Sequence, residues 1–118
     1  MIIETHHIHQ TKVAEVISDS ITIQTAEDAL DLMGNLYYQG FDRIVLHANQ
    51  LTPNFFDLTN GLAGEILQKF SNYHVRLAIV GDFSSYTSKS IRDFIRESNR
   101  RGHVVFVETV DEALVKLA

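Results

Sequence analysis

Residues Gly61–Asn99 read GLAGEILQKFSNYHVRLAIVGDFSSYTSKSIRDFIRESN. The pattern is helix, buried strand, polar turn, helix. Leu58, Leu62, Ala63, Ile66, Leu67 and Phe70 recur at helical spacing. Val75–Val80 is an apolar run rather than an alternating one, as in a strand covered on both faces. The turn Gly81–Ser88 then places one Gly, one Asp, three Ser, one Thr and one Tyr at the mouth of a helix whose inward residues are Ile91, Phe94 and Ile95. Small hydrogen-bonding groups where backbone N–H groups point outward suggest a site.

The same alternation extends in both directions. Ile44–Leu46 and Val104–Val107 are further apolar runs. Ile2–Ile8 and Lys12–Ile17, joined by His9–Thr11, suit an antiparallel pair, and Ile21–Gln24 a short extended stretch. Thr25 and Asp28 predict an N-cap, Ala26, Ala29, Leu30, Met33, Leu36 and Tyr37 an inward stripe, and Gly40 a stop. Pro53 suits the first turn of a helix. Thr109 and Glu112 predict a full capping box for a last helix with Ala113, Leu114 and Leu117 inward. The expected fold class is therefore α/β: a single layered domain over residues 1–118, in the order ββαβαβαβα, with helices packed on a mostly parallel sheet.

At 118 residues the chain fits one domain. With 10 basic and 15 acidic residues, the net charge of −5 argues against duplex nucleic acid as a partner. The absence of cysteine excludes disulfides, thiolate metal sites and cysteine nucleophiles. No apolar run approaches the roughly 20 residues of a membrane span. The start MIIETHH lacks the basic beginning and apolar core of a signal peptide, so the expected location is the cytoplasm.

The segments Phe55–Leu58, Gly61–Phe70, Arg76–Ser84 and Tyr86–Lys89, with Arg92–Ile95 and Glu97–Asn99, resemble the uncharacterised bacterial family called domain of unknown function 4180. The resemblance spans essentially the whole chain and implies no established activity. At a coarser level the element order, Gly61-Leu62 opening the long helix, and the tail Val107–Leu114 are similar to the STAS domain of bacterial anti-sigma factor antagonists. In those antagonists a hydroxyl residue just before the Gly-Leu pair is phosphorylated by a partner kinase. Asn60 stands there in this chain, with Thr59 and Leu58 before it and the aspartate displaced to Asp57. Asparagine takes no phosphate, which leaves Thr59 as the nearby hydroxyl.

In a parallel sheet, ligands bind outside the carboxyl ends of the strands. That edge should gather His47–Asn49, the segment Asp57, Leu58, Thr59, Asn60 and Gly61, and the loop running through Asp82, Ser84, Ser85, Tyr86, Thr87, Ser88 and Lys89, with Arg92 extending the surface. The alternative for Asp82, Ser84 and Ser88 is capping of their own helix. Its single glycine sets the loop apart from phosphate-cradling motifs. No Gly-x-Ser-x-Gly elbow accompanies Ser84–Tyr86, so no catalytic residue is assigned. On a strand His7 and His9 share one face with His6 opposite, no further ligand is evident, and neither a metal nor another cofactor is expected. Arg92, Arg96 and Arg100 share a helix face, with Asp93–Arg96 and Glu97–Arg101 as surface pairs. The leading expectation is a STAS-like cytoplasmic binding or regulatory module for a protein partner or small anionic ligand. The alternative is a small enzyme for a phosphorylated or carboxylated substrate at the same loops, using Ser84, Tyr86 and His47. A homodimer through the Phe55 or Tyr38 region is a third reading.

Overall fold

Ile2–Ile8 (β1) and Thr11–Ile17 (β2) form an antiparallel hairpin in register from Ile2↔Ile17 to Ile8↔Thr11. Only His9 and Gln10 connect them. So tight a turn calls for positive φ, which His9 supplies at 56°. His9 therefore lies in the turn, off the strand that would have placed it with His7.

The computed structural model describes all 118 residues. After the hairpin come α1 (Ala26–Tyr38), β3 (Arg43–His47), α2 (Leu62–Asn72), β4 (Arg76–Val80), α3 (Lys89–Arg101), β5 (Val104–Val107) and α4 (Val110–Leu117). The strands lie in the order β1-β2-β3-β4-β5, all parallel beyond the hairpin.

Local chemistry sets most boundaries. Thr25 Oγ1 accepts the Asp28 N–H at 3.1 Å, and the Asp28 carboxylate accepts the Thr25 and Gln24 N–H groups, closing the first turn of α1. Tyr37 leaves the expected stripe: a 100° step past buried Leu36 carries it to the surface, 64% exposed, and Leu32 takes the inward place. At α4, Thr109 accepts the Glu112 N–H, but the Glu112 carboxylate reaches back to the Glu108 N–H instead of Thr109. Pro53 opens only a 3-10 turn, Pro53–Phe56, and Leu58 lies in a second one, Leu58–Asn60. The expected extended stretch at Ile21–Gln24 is reduced to one parallel bridge, Ile23 to Leu51.

Each step β2-α1-β3-α2-β4-α3-β5 advances one strand in the same direction. Crossovers of one hand then return every helix to the same face. Ala14, Val16, Ile44, Leu46, Leu77, Ile79, Val104 and Phe106 accordingly pack under α1 and α2, with Phe94 and Ile95 of α3 against them. Val13, Val45, Ala78, Val80, Val105 and Val107 face the other way and meet only α4, through Ala113 and Leu117. Arg43 Nε donates to the Leu117 carbonyl at 2.6 Å, and an Arg76 guanidinium nitrogen donates to the Lys116 carbonyl at 2.8 Å. These bonds hold the end of α4 over the amino ends of β3 and β4 and satisfy carbonyls that the helix leaves free. Eight residues of helix span about 12 Å, whereas five strands span about 19 Å between the outer two. The second face is thus only partly covered.

A buried glutamine ties this frame to its loops. Gln50, 1% exposed, donates from Nε2 to the Val16 carbonyl and accepts the His47 N–H at Oε1, while its backbone carbonyl takes the Thr22 and Ile23 N–H groups. Gln50→Ala strands a donor and an acceptor and is expected to cost about 2–4 kcal/mol in chemical denaturation. Gln50→Glu sets an oxygen against the Val16 carbonyl. It should be at least as damaging at pH 7 and partly relieved in acid, where the new carboxyl can donate. Equal stability of all three proteins would show that the clamp is dispensable.

Candidate functional site

The carboxyl edge is assembled where two loops meet. Gly81 leaves β4 directly against the turn after β3: a Cβ at Gly81 would lie 2.7 Å from Ala48 Cβ and 3.3 Å from the Phe83 ring. Glycine is required there by close approach. From this point Phe83 turns edge-on to Phe106 of β5, with ring centres 5.4 Å apart, and Phe56 stacks on Tyr86 at 4.9 Å. The Pro53–Gly61 and Gly81–Ser88 segments therefore form one surface joined by aromatic rings. Phe55 is buried, whereas Phe56 stays half-buried in the stack.

Two turns of the same design flank the stack. Asp57 Oδ1 accepts the Thr59 N–H at 3.2 Å and the Thr59 hydroxyl at 2.6 Å. Asp82 Oδ1 accepts the Ser84 N–H at 3.0 Å and the Ser84 hydroxyl at 2.6 Å. The hydroxyl bond, then the backbone bond, holds each carboxyl below its ordinary value, so both are ionised at neutral pH. Burial raises the Tyr86 phenol, which stays neutral.

The neighbouring residues have local tasks. Asn60 Oδ1 accepts the Leu62 N–H and its Nδ2 donates to the Asn54 carbonyl, so Asn60 caps α2 from one residue back. It can do so because Gly61 takes φ 76°, a left-handed conformation that glycine adopts without strain. Ser88 holds the N-cap position of α3 without bonding the helix through its side chain. Neither Ser88 nor Asp82 caps α3, contrary to the capping alternative. Lys89 is paired with Asp93 at 2.7 Å, while Ser85, Thr87 and Arg92 are exposed. The surface pairs Asp93–Arg96 and Glu97–Arg101 are present, with Arg100 also on Glu97.

His47 ends β3 at this edge, but its ring is held elsewhere. Its Nε2 lies 2.7 Å from Glu15 Oε2, and His6 Nε2 lies 2.8 Å from Glu15 Oε1. The Ser84 hydroxyl is given to Asp82 and the His47 nitrogen to Glu15, so no Ser–His pair forms in this structure. The expectation that no carboxylate stands near the amino-terminal histidines is overturned. His6 faces Glu15, and a ligand atom from each of Glu4, His6 and Glu15 lies within 4.8 Å of the other two. The readable signal was parity: Glu4, His6, Val13 and Glu15 share one face of the hairpin, as the pairs Glu4↔Glu15 and His6↔Val13 show.

Glu15 is 7% exposed. Burial pushes its carboxyl up, but the hydrogen bonds and attraction from His47 and His6 outweigh this and leave it below its ordinary value. An ionised carboxylate only accepts, so both histidines must carry a proton on Nε2. A depressed folded value means that the stability Glu15 contributes is present above the ordinary glutamate range of about 4.3 and is lost as the pH falls below it. The stability difference between wild type and Glu15→Gln should therefore shrink between about pH 5 and pH 3. A difference that grows over that interval would mean that burial, not the histidines, governs the carboxyl.

No curated protein and no solved structure matches the chain. Residues 8–117, which include both loops, Glu15 and His47, match the family described as Domain of unknown function (DUF4180), and the chain belongs to that family.

Proposed function

We propose that this protein is a cytoplasmic, STAS-like regulatory module of bacteria that engages a protein partner at the carboxyl edge of its sheet. The observation that carries this reading is the joining of the two loops. Asp57–Thr59 and Asp82–Ser84 stand as a pair of pre-formed acidic turns around the Phe56–Tyr86 stack. Aromatic area bordered by fixed polar groups suits a protein contact. Charge separates this reading from a free anionic ligand. Two ionised aspartates face outward and Lys89 is engaged by Asp93, so the edge favours N–H donors and positive side chains. The hairpin followed by parallel strands, with Gly61-Leu62 opening α2, is compatible with the STAS likeness. Asn60 serves as a cap, so a phospho-switch in this module would use Thr59, whose hydroxyl is bound to Asp57.

A photo-crosslinking residue at exposed Ser85 should capture a defined partner in cells that the same residue at Gln68 on α2 does not. The purified partner should then bind wild type and lose at least tenfold in affinity to Ser84→Arg, the Gln68→Arg control being unaffected. The same captured proteins at both positions would contradict the reading. A nucleotide or small carboxylate that raises the melting temperature of wild type but not of Lys89→Ala would replace the protein partner with an anionic ligand.

A further inference from the structure

The uncovered half of the second sheet face carries more than the carboxyl edge requires. We propose that Glu4, His6 and Glu15 form a binding site for one divalent transition-metal ion of the zinc class, with Glu15 at its centre and His47 holding the second Glu15 oxygen. The inference is independent of the loop surface and stands on four observations.

The donor atoms already converge. His6 Nε2 lies 2.8 Å from Glu15 Oε1, and one ligand atom from each of Glu4, His6 and Glu15 lies within 4.8 Å of the other two, while His47 Nε2 takes the other Glu15 oxygen at 2.7 Å. Ligands bound at about 2.0–2.1 Å to one ion stand about 2.9–3.4 Å from one another, so small side-chain adjustments suffice.

The backbone is rigid. Glu4 and His6 lie on β1 and Glu15 on β2, in a continuous seven-pair register. His47 closes β3 two residues after Val45, the parallel partner of Glu15.

The charges call for a cation. Glu4 sits directly opposite Glu15, and like charges at such a position repel. Glu15 is also buried on a face otherwise lined by Val13, Val45 and Val80. The two carboxylates balance the charge of one divalent ion.

The donor set selects the class. Mixed imidazole and carboxylate suits zinc, iron or manganese more than calcium or magnesium, which take oxygen ligands. On binding, the His6 imidazole moves its proton from Nε2 to Nδ1 and presents Nε2 to the ion, with no net change in charge. His6 and His47 keep 21% and 30% of their side-chain surface exposed, so the ion is reachable from solvent.

The full-length protein, stripped with chelator, is titrated with zinc chloride by calorimetry and by thermal unfolding. One zinc ion per chain with a micromolar or tighter Kd is expected, with a melting temperature raised by more than about 5 °C at hundredfold excess over Kd. Glu4 is exposed and opposes Glu15, so Glu4→Gln should leave the metal-free protein folded, with an equal or higher melting temperature, yet weaken zinc at least tenfold. His6→Gln should abolish the visible d–d absorption of the cobalt-loaded protein. His7→Gln, on the opposite face, should change neither. Zinc binding that is equal in wild type, Glu4→Gln and His6→Gln overturns the proposal, as does a Kd above about 1 mM. An equal response to magnesium overturns the assignment of class.

Discussion

A sheet built by adding strands in one direction has few helices left for its second face. Here three crossover helices return to the same side, and only α4, eight residues long, remains for the other. Arg43 and Arg76 draw its end toward the amino ends of β3 and β4. Over β1–β3 the carboxyl half of that face is lined by the partly exposed His6 and His47, and polar side chains can occupy a sheet interior there at a tolerable cost. Glu15 does so because two imidazoles meet its oxygens. Without them a buried carboxylate would be driven to its neutral form or out of the sheet.

This arrangement links two parts of the molecule. Gln50 receives the His47 N–H while holding the end of β2 through Val16, so the backbone that places the His47 ring also fixes the loop leading to Pro53–Gly61. Gly81 presses β4 against Ala48 in the same turn. The Glu15 cluster and the loop surface therefore share a mechanical base, although their side chains point to different tasks. A change at His47 is felt by both, whereas Glu4 and Ser85 each belong to one.

The element pattern was legible because it rests on local signals. Thr25 with Asp28, Gly40, and the apolar runs at Ile44–Leu46, Val75–Val80 and Val104–Val107 each declare themselves within a few residues. The union of the loops was not legible, since the Phe56–Tyr86 stack joins positions thirty residues apart. Asn60 was visible as a departure from a phosphorylatable residue, but its capping of Leu62 depends on the left-handed turn at Gly61. Glu15 was the clearest loss. The alternation of Val13 and Glu15 with Ala14 and Val16 suits a half-buried strand, whereas all four residues are buried, and only the register of β1 on β2 and the neighbouring β3 bring His6 and His47 to the two Glu15 oxygens. Tertiary pairing, not composition, makes that cluster.

The central claim is that an ionised Glu15 holds two imidazoles by their Nε2 protons on the open face. A long-range nitrogen–proton correlation spectrum of the uniformly nitrogen-labelled, metal-free protein at pH 7.5 tests it most directly. The account predicts the Nε2–H tautomer for both His6 and His47, with Nε2 protons protected from exchange and both patterns lost in Glu15→Gln. Averaged, freely exchanging imidazoles, or an Nδ1–H tautomer at either histidine in the wild type, would contradict it.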